Sequence, residues 1–134
     1  MEDMPQQLIV RRWTRHPKSV GLARTELQRA LCGWGLAVIE EPALLILSEL
    51  VTNAVVHARV PKGRQIETRF ECEDKGVRIE VHDASDEKPT LCPQTADSER
   101  GRGLTLVEAM ADEWAVSKRN GPGKVVWAVL RLPR

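Results

Sequence analysis

The sequence predicts a two-layer α+β sandwich, with helices stacked on one face of a mostly antiparallel sheet. Two early segments carry apolar residues at three- and four-residue spacings, the mark of amphipathic helices. Two central segments alternate with period two across a short turn signal, the mark of a hairpin. Read along the chain, the elements run β-α-α-β-β-loop-α-β-β.

"LIVRRW" (8–13) reads as a short strand. Residues 16–35 read as a helix with Val20, Ala23, Leu27, Ala30 and Leu31 on one side, stopped by Gly33 and Gly35. A second helix covers about 41–58, with Pro42 in its first turn, where proline is tolerated. "RVPKGR" (59–64) is a loop. "QIETRFEC" and "VRIEVHD" form the hairpin, joined by "EDKG" (73–76). Residues 84–103 have no periodicity. "LTLVEAMADEW" (104–114) reads as a helix, "EWAVSK" as a strand, "NGPG" (120–123) as a turn and "KVVWAVLRL" (124–132) as a last strand. No repeat or linker interrupts this order, so the expectation is one domain over 1–134 with its core at about 8–132.

Composition narrows the function classes. Of the 134 residues, 42% are apolar and 29% charged, with a net charge of +1, a soluble globular profile without a field aimed at nucleic acid. No apolar run approaches the ~20 residues that span a bilayer, and "MEDMPQQ" is unlike a signal peptide, so a cytoplasmic protein is expected. Cys32, Cys72 and Cys92 form no CxxC pair, which argues against a disulfide framework or a zinc site.

Three local patterns carry possible chemistry. On the second helix, Leu44, Leu47, Leu50, Val51, Ala54, Val55 and Ala58 fill one arc of roughly 140°. Glu49, Asn53 and His57 lie outside it in a slanting stripe, each about 40° from the last. Such a stripe is either an ordinary polar flank or the lining of a cleft. In "VRIEVHD", Val77, Ile79 and Val81 share one face and Arg78, Glu80 and His82 the other, so Asp83 points to the apolar side. A carboxylate there needs a hydrogen-bond donor, from a backbone turn or from a ligand amine. Gly101 and Gly103 precede a helix start, which suits either a flexible loop or a phosphate site.

Together these segments resemble the ATP-binding domain shared by gyrase B subunits, sensor histidine kinases, mismatch-repair ATPases and a heat-shock chaperone. "SELVTNAVVHA" is similar to the N box, "VHDASDEKP" to the first glycine box and "ERGRGLTLVEAMADEW" to the second. Within that superfamily the chain looks most like the small anti-sigma-factor serine/threonine kinases of bacteria. The resemblance implies that Glu49 is the catalytic base, that Asn53 coordinates the Mg²⁺ of ATP and that Asp83 binds adenine. It puts Gly101, Arg102 and Gly103 in a lid near the phosphates, Leu104 and Thr105 at the start of the next helix, and His57 at the cleft edge. It departs from the family at "DASDE", where Ser85 and Glu87 stand in place of the DxGxG glycines.

The implied function is phosphorylation of an anti-anti-sigma-like partner, with a sigma factor as a second partner and no direct contact with nucleic acid or membrane. The alternative is an ATP-binding or degenerate module that acts by protein contact alone, which the altered glycine box favours. A split histidine kinase is a weaker third reading, because His16 precedes a proline and no phosphoacceptor helix is evident. Val125, Trp127 and Val129 form an apolar second face on the last strand. This is either a central strand tolerating hydrophobes or a surface for a homodimer.

Overall fold

The computed structural model describes residues 7–57, 65–83, 106–118 and 123–133. Strand β1 (Leu8–Thr14) is followed by helices α1 (Lys18–Gly33) and α2 (Glu40–His57), with a 3₁₀ turn (Ala37–Ile39) between them. Strands β2 (Gln65–Glu73) and β3 (Gly76–Asp83) come next, then helical residues 106–110, β4 (Glu113–Lys118) and β5 (Lys124–Arg131). The five strands form one sheet in the order β1-β2-β3-β5-β4. Every neighbouring pair is antiparallel. The expected two-layer α+β sandwich, with a mostly antiparallel sheet, is the architecture found.

Local chemistry explains the element ends. Helix α1 starts two residues later than its periodicity suggests, because His16 and Pro17 turn the chain instead. The carbonyl of His16 accepts the Ser19 N–H at 2.8 Å, and that of Pro17 accepts the Val20 N–H at 3.1 Å. At the other end, Gly35 sits at φ 74°. Leu36 N–H reaches back to the Leu31 carbonyl at 2.8 Å, and Gly35 N–H to that of Cys32 at 3.2 Å. This double closure satisfies carbonyls the helix leaves open and needs a residue that tolerates the left-handed region. Leu31 and Leu36, both buried, pack on the inner side of the closure.

The hairpin turn also differs in detail from its sequence reading. Glu73 and Gly76 pair across the strands, so Asp74 and Lys75 alone make the turn, with Lys75 at φ 63°. Gly76 serves packing instead. A Cβ there would overlap the carbonyl oxygen of Leu130 and lie 3.0 Å from the Cα of Arg131.

The helix expected over 104–114 ends at residue 110 among the described residues, and Trp114 belongs to β4. Strand β5 draws this segment off the helix path. Asp112 N–H donates to the Val129 carbonyl at 2.8 Å, and the Asp112 carboxylate accepts the Arg131 N–H at 2.7 Å.

Both long helices lie on one face of the sheet. Leu27 and Leu31 from α1, Ile46, Leu47 and Val51 from α2, and Ile66, Phe70, Val77, Ile79 and Val81 from the sheet share one core with Val107. Each such side chain contributes roughly 1.5–3 kcal/mol on burial. Thr68 is buried among them, and its hydroxyl accepts the Trp13 indole N–H at 2.8 Å.

The opposite face is laced with charge. Glu67 accepts from Arg12 at 3.3 Å and from Arg69 at 2.7 Å. Glu80 meets both Arg78 and His82 at 2.7 Å. The Arg78 guanidinium lies 4.2 Å from the centre of the Trp127 ring. The apolar strip expected on β5 is therefore narrow, with Val125 and Val129 buried and Trp127 half-buried beside that cation.

This lattice has a pH signature. Burial pushes the Glu80 carboxyl up, but the hydrogen bonds and charges of Arg78 and His82 outweigh it and hold the group below its ordinary value. A depressed carboxyl stabilises the fold above its unfolded-state pKa, and that contribution is lost as pH falls through the folded-state value. Glu80→Gln is therefore expected to lower the melting temperature at neutral pH, by less than about 1 kcal/mol of stability. The gap to wild type should close as the pH falls below the ordinary carboxylate range. Melting curves from pH 7 to pH 3 check this, and a gap that stays constant rules it out.

Candidate functional site

The site is built from α2 and from the end of β3. Helix α2 packs over β2, β3 and β5, so its inner side meets the helix-facing side of the sheet. The helix has two distinct flanks. Arg24 of α1 donates to the Ser48 hydroxyl at 2.6 Å and to the Leu44 carbonyl at 3.3 Å, which marks the flank turned to α1. Glu49 and Asn53 lie about 100° and 140° away from Ser48 around the helix. They therefore face away from α1.

That second flank is not the open back. Ile46 lies within about 20° of Asn53 on the helical wheel and is wholly buried. The sequence reading left Ile46 out of the apolar arc. Its burial extends that arc to Asn53, while Glu49 lies about 60° from Ile46 around the helix, within about 20° of the exposed Val56. Glu49 and Asn53 are half-buried, whereas Thr52 and Val56 on the back are exposed. His57 is the last residue of α2.

Asp83 is where its parity puts it, on the helix-facing side of the sheet and only 3% exposed. Its cross-strand neighbours are Ile66 on β2 and Lys124 on β5. The Lys124 Nζ stands 4.0 Å from Asp83 Oδ2. An ammonium at this distance offsets part of the cost of holding a carboxylate out of water. The pair sets a carboxylate and an ammonium side by side at the end of the two central strands.

Lys124 is the site residue that sequence reasoning missed. It opens the apolar strand segment "KVVWAVLRL". Its signal was parity: it shares a face with Val126, Ala128 and Leu130 and so enters the apolar side, as Asp83 does. Arg15 was missed as well. Its guanidinium donates to the Ala54 carbonyl at 2.6 Å, in the last turn of α2.

Gly101, Arg102, Gly103, Leu104 and Thr105 lie outside the described residues, as do Ser85 and Glu87. The helical residues that follow the glycine pair are anchored, since Val107 is wholly buried in the common core.

The donor set fits a nucleotide with a hard cation. A buried carboxylate accepts an amine, and an amide oxygen on an inward flank accepts a metal ion. Among the described residues no cluster of three or more His, Cys, Asp or Glu side chains could form a metal cage.

The two-layer sandwich thus carries a buried strand-end carboxylate and a half-buried polar row on the helix that packs over it. The chain matches the histidine kinase-like ATPase domain over residues 13–130, from β1 to the end of β5, and it belongs to that family. No curated protein matches it. Among the described residues no helix is long and apolar enough to cross a membrane.

Proposed function

We propose that this chain is an ATP-binding regulatory protein of the anti-sigma type, which phosphorylates a serine or threonine on an anti-anti-sigma-like partner in the cytoplasm. The observation that carries the reading is the half-buried polar pair Glu49 and Asn53 on α2, which packs on the side of the sheet that carries the buried Asp83.

Asp83 would accept a hydrogen bond from the exocyclic amine of adenine. Asn53 would hold Mg²⁺ through its amide oxygen, and the ion supplies charge neutralisation at the phosphates. Glu49 would orient the partner's hydroxyl and take its proton. The new bond joins the hydroxyl oxygen to the γ-phosphorus, the bond from the γ-phosphorus to the β,γ-bridging oxygen breaks, and ADP leaves. Phosphoryl transfer depends mainly on positioning and electrostatics, so few side chains are required. A sigma factor is the second partner in this reading. A homodimer would use the sheet face of Trp127, and sedimentation at micromolar concentration tests that part.

The replacement of both family glycines in "DASDE" favours a second reading, in which the protein holds nucleotide and regulates by contact alone. Calorimetry with ATP and ADP, with and without Mg²⁺, followed by mass spectrometry of a candidate partner, separates the two. Nucleotide binding with a new phosphoserine or phosphothreonine supports the kinase. Binding without transfer supports the contact regulator, and absence of nucleotide binding defeats both.

A further inference from the structure

We infer that Arg15 is a positioning residue for Asn53, setting the Mg²⁺-dependent part of nucleotide binding by fixing the last turn of α2; this rests on the nucleotide reading above. Arg15 lies in the turn between β1 and α1, 39 residues from the carbonyl it holds. The bond is short, 2.6 Å, and part-buried. Ala54, which accepts it, directly follows Asn53 and has its own side chain in the core.

The electrostatics favour this arrangement. The last four carbonyls of a helix run short of N–H donors, and the C-terminal end carries partial negative charge. A guanidinium there makes a charge-assisted bond, stronger than one between neutral groups. The arm that delivers it is itself fixed. His16 N–H donates to the Thr14 carbonyl at 2.9 Å, and the hydroxyl of the buried Ser19 donates to the same carbonyl at 2.7 Å. Arg24 makes an equivalent clamp further back, at Leu44 and Ser48. The middle of α2 thus stays held when Arg15 is removed, and only the turn that follows Asn53 is released. Asp83 sits on β3, and the carbonyl that Arg15 holds belongs to α2, so the base end of the site is expected to keep its affinity.

The test compares wild type, Arg15→Met, Arg15→Lys and Asn53→Ala as full chains. Hydrogen exchange of amides 54–57 should speed up by about tenfold or more in Arg15→Met, with the sheet amides unchanged. Calorimetry should show ATP affinity in Mg²⁺ reduced about tenfold, ADP affinity without Mg²⁺ unchanged, and partial recovery in Arg15→Lys. Unchanged exchange overturns the inference directly. Faster exchange with undiminished Mg²⁺-dependent ATP affinity also overturns it, leaving Arg15 as a stability residue only. A matching loss in both nucleotide assays has the same meaning. If wild type binds no nucleotide, or Asn53→Ala retains the full Mg²⁺ effect, the nucleotide reading itself fails and the positioning role falls with it. The exchange data then still separate that failure from an absent clamp.

Discussion

Glu49→Gln is expected to leave folding and ATP affinity intact and to slow phosphoryl transfer to a partner hydroxyl by about 10²-fold. The substitution keeps size and shape at a half-buried position, so no cavity forms. It removes the group that would accept the proton. General-base contributions span roughly 10² to 10⁴. The lower end applies here, because in a loose transition state the hydroxyl keeps its proton until bond formation is well advanced. Single-turnover transfer with the partner in excess reads the chemical step, and calorimetry reads the binding. Transfer at the wild-type rate would remove Glu49 from the mechanism. A parallel fall in ATP affinity would reassign it to binding.

Asp83→Asn is expected to weaken ATP binding by roughly 10- to 100-fold, since a hydrogen bond to a charged group is worth about 1.5–3 kcal/mol and each 1.4 kcal/mol is a decade. The amide retains an acceptor oxygen but loses its charge. Its NH₂ also has to be placed beside Lys124, which now stands 4.0 Å from a carboxylate oxygen. The half-buried lysine then lacks its counter-charge, so urea midpoints should fall too. The two effects are separable: Lys124→Met in the same assay shows how much of the stability change belongs to the ion pair. ATP affinity undiminished in Asp83→Asn would mean that this carboxylate does not read the base.

Much of the architecture was legible because burial imposes periodicity. Alternation in "VRIEVHD" placed Asp83 on the apolar side before any sheet was known, and Asp83 is buried there. Helix spacing found both long helices and the row on α2. The errors fell where partners from distant sequence decide. Residues 111–114 have helical spacing, yet hydrogen bonds from β5 take them into a strand approach. Gly76 looks like a turn glycine, yet it is the close passage of Leu130 that a side chain would obstruct. Ile46 stands beside the polar row, and its complete burial draws Asn53 toward the core.

The sequence by itself determined the element types outside residues 111–114, the face of each strand and the composition of the polar row, because these follow from side-chain periods of two and 3.6. It also carried the family resemblance, in motifs that are local. Only the tertiary structure decided which strand lies beside β3, and therefore that Lys124 meets Asp83. The same holds for Arg15 capping α2 from the first loop. Such contacts join residues 39 or more positions apart, and no local period encodes a partner at that distance; strand order and helix packing must first bring the two together.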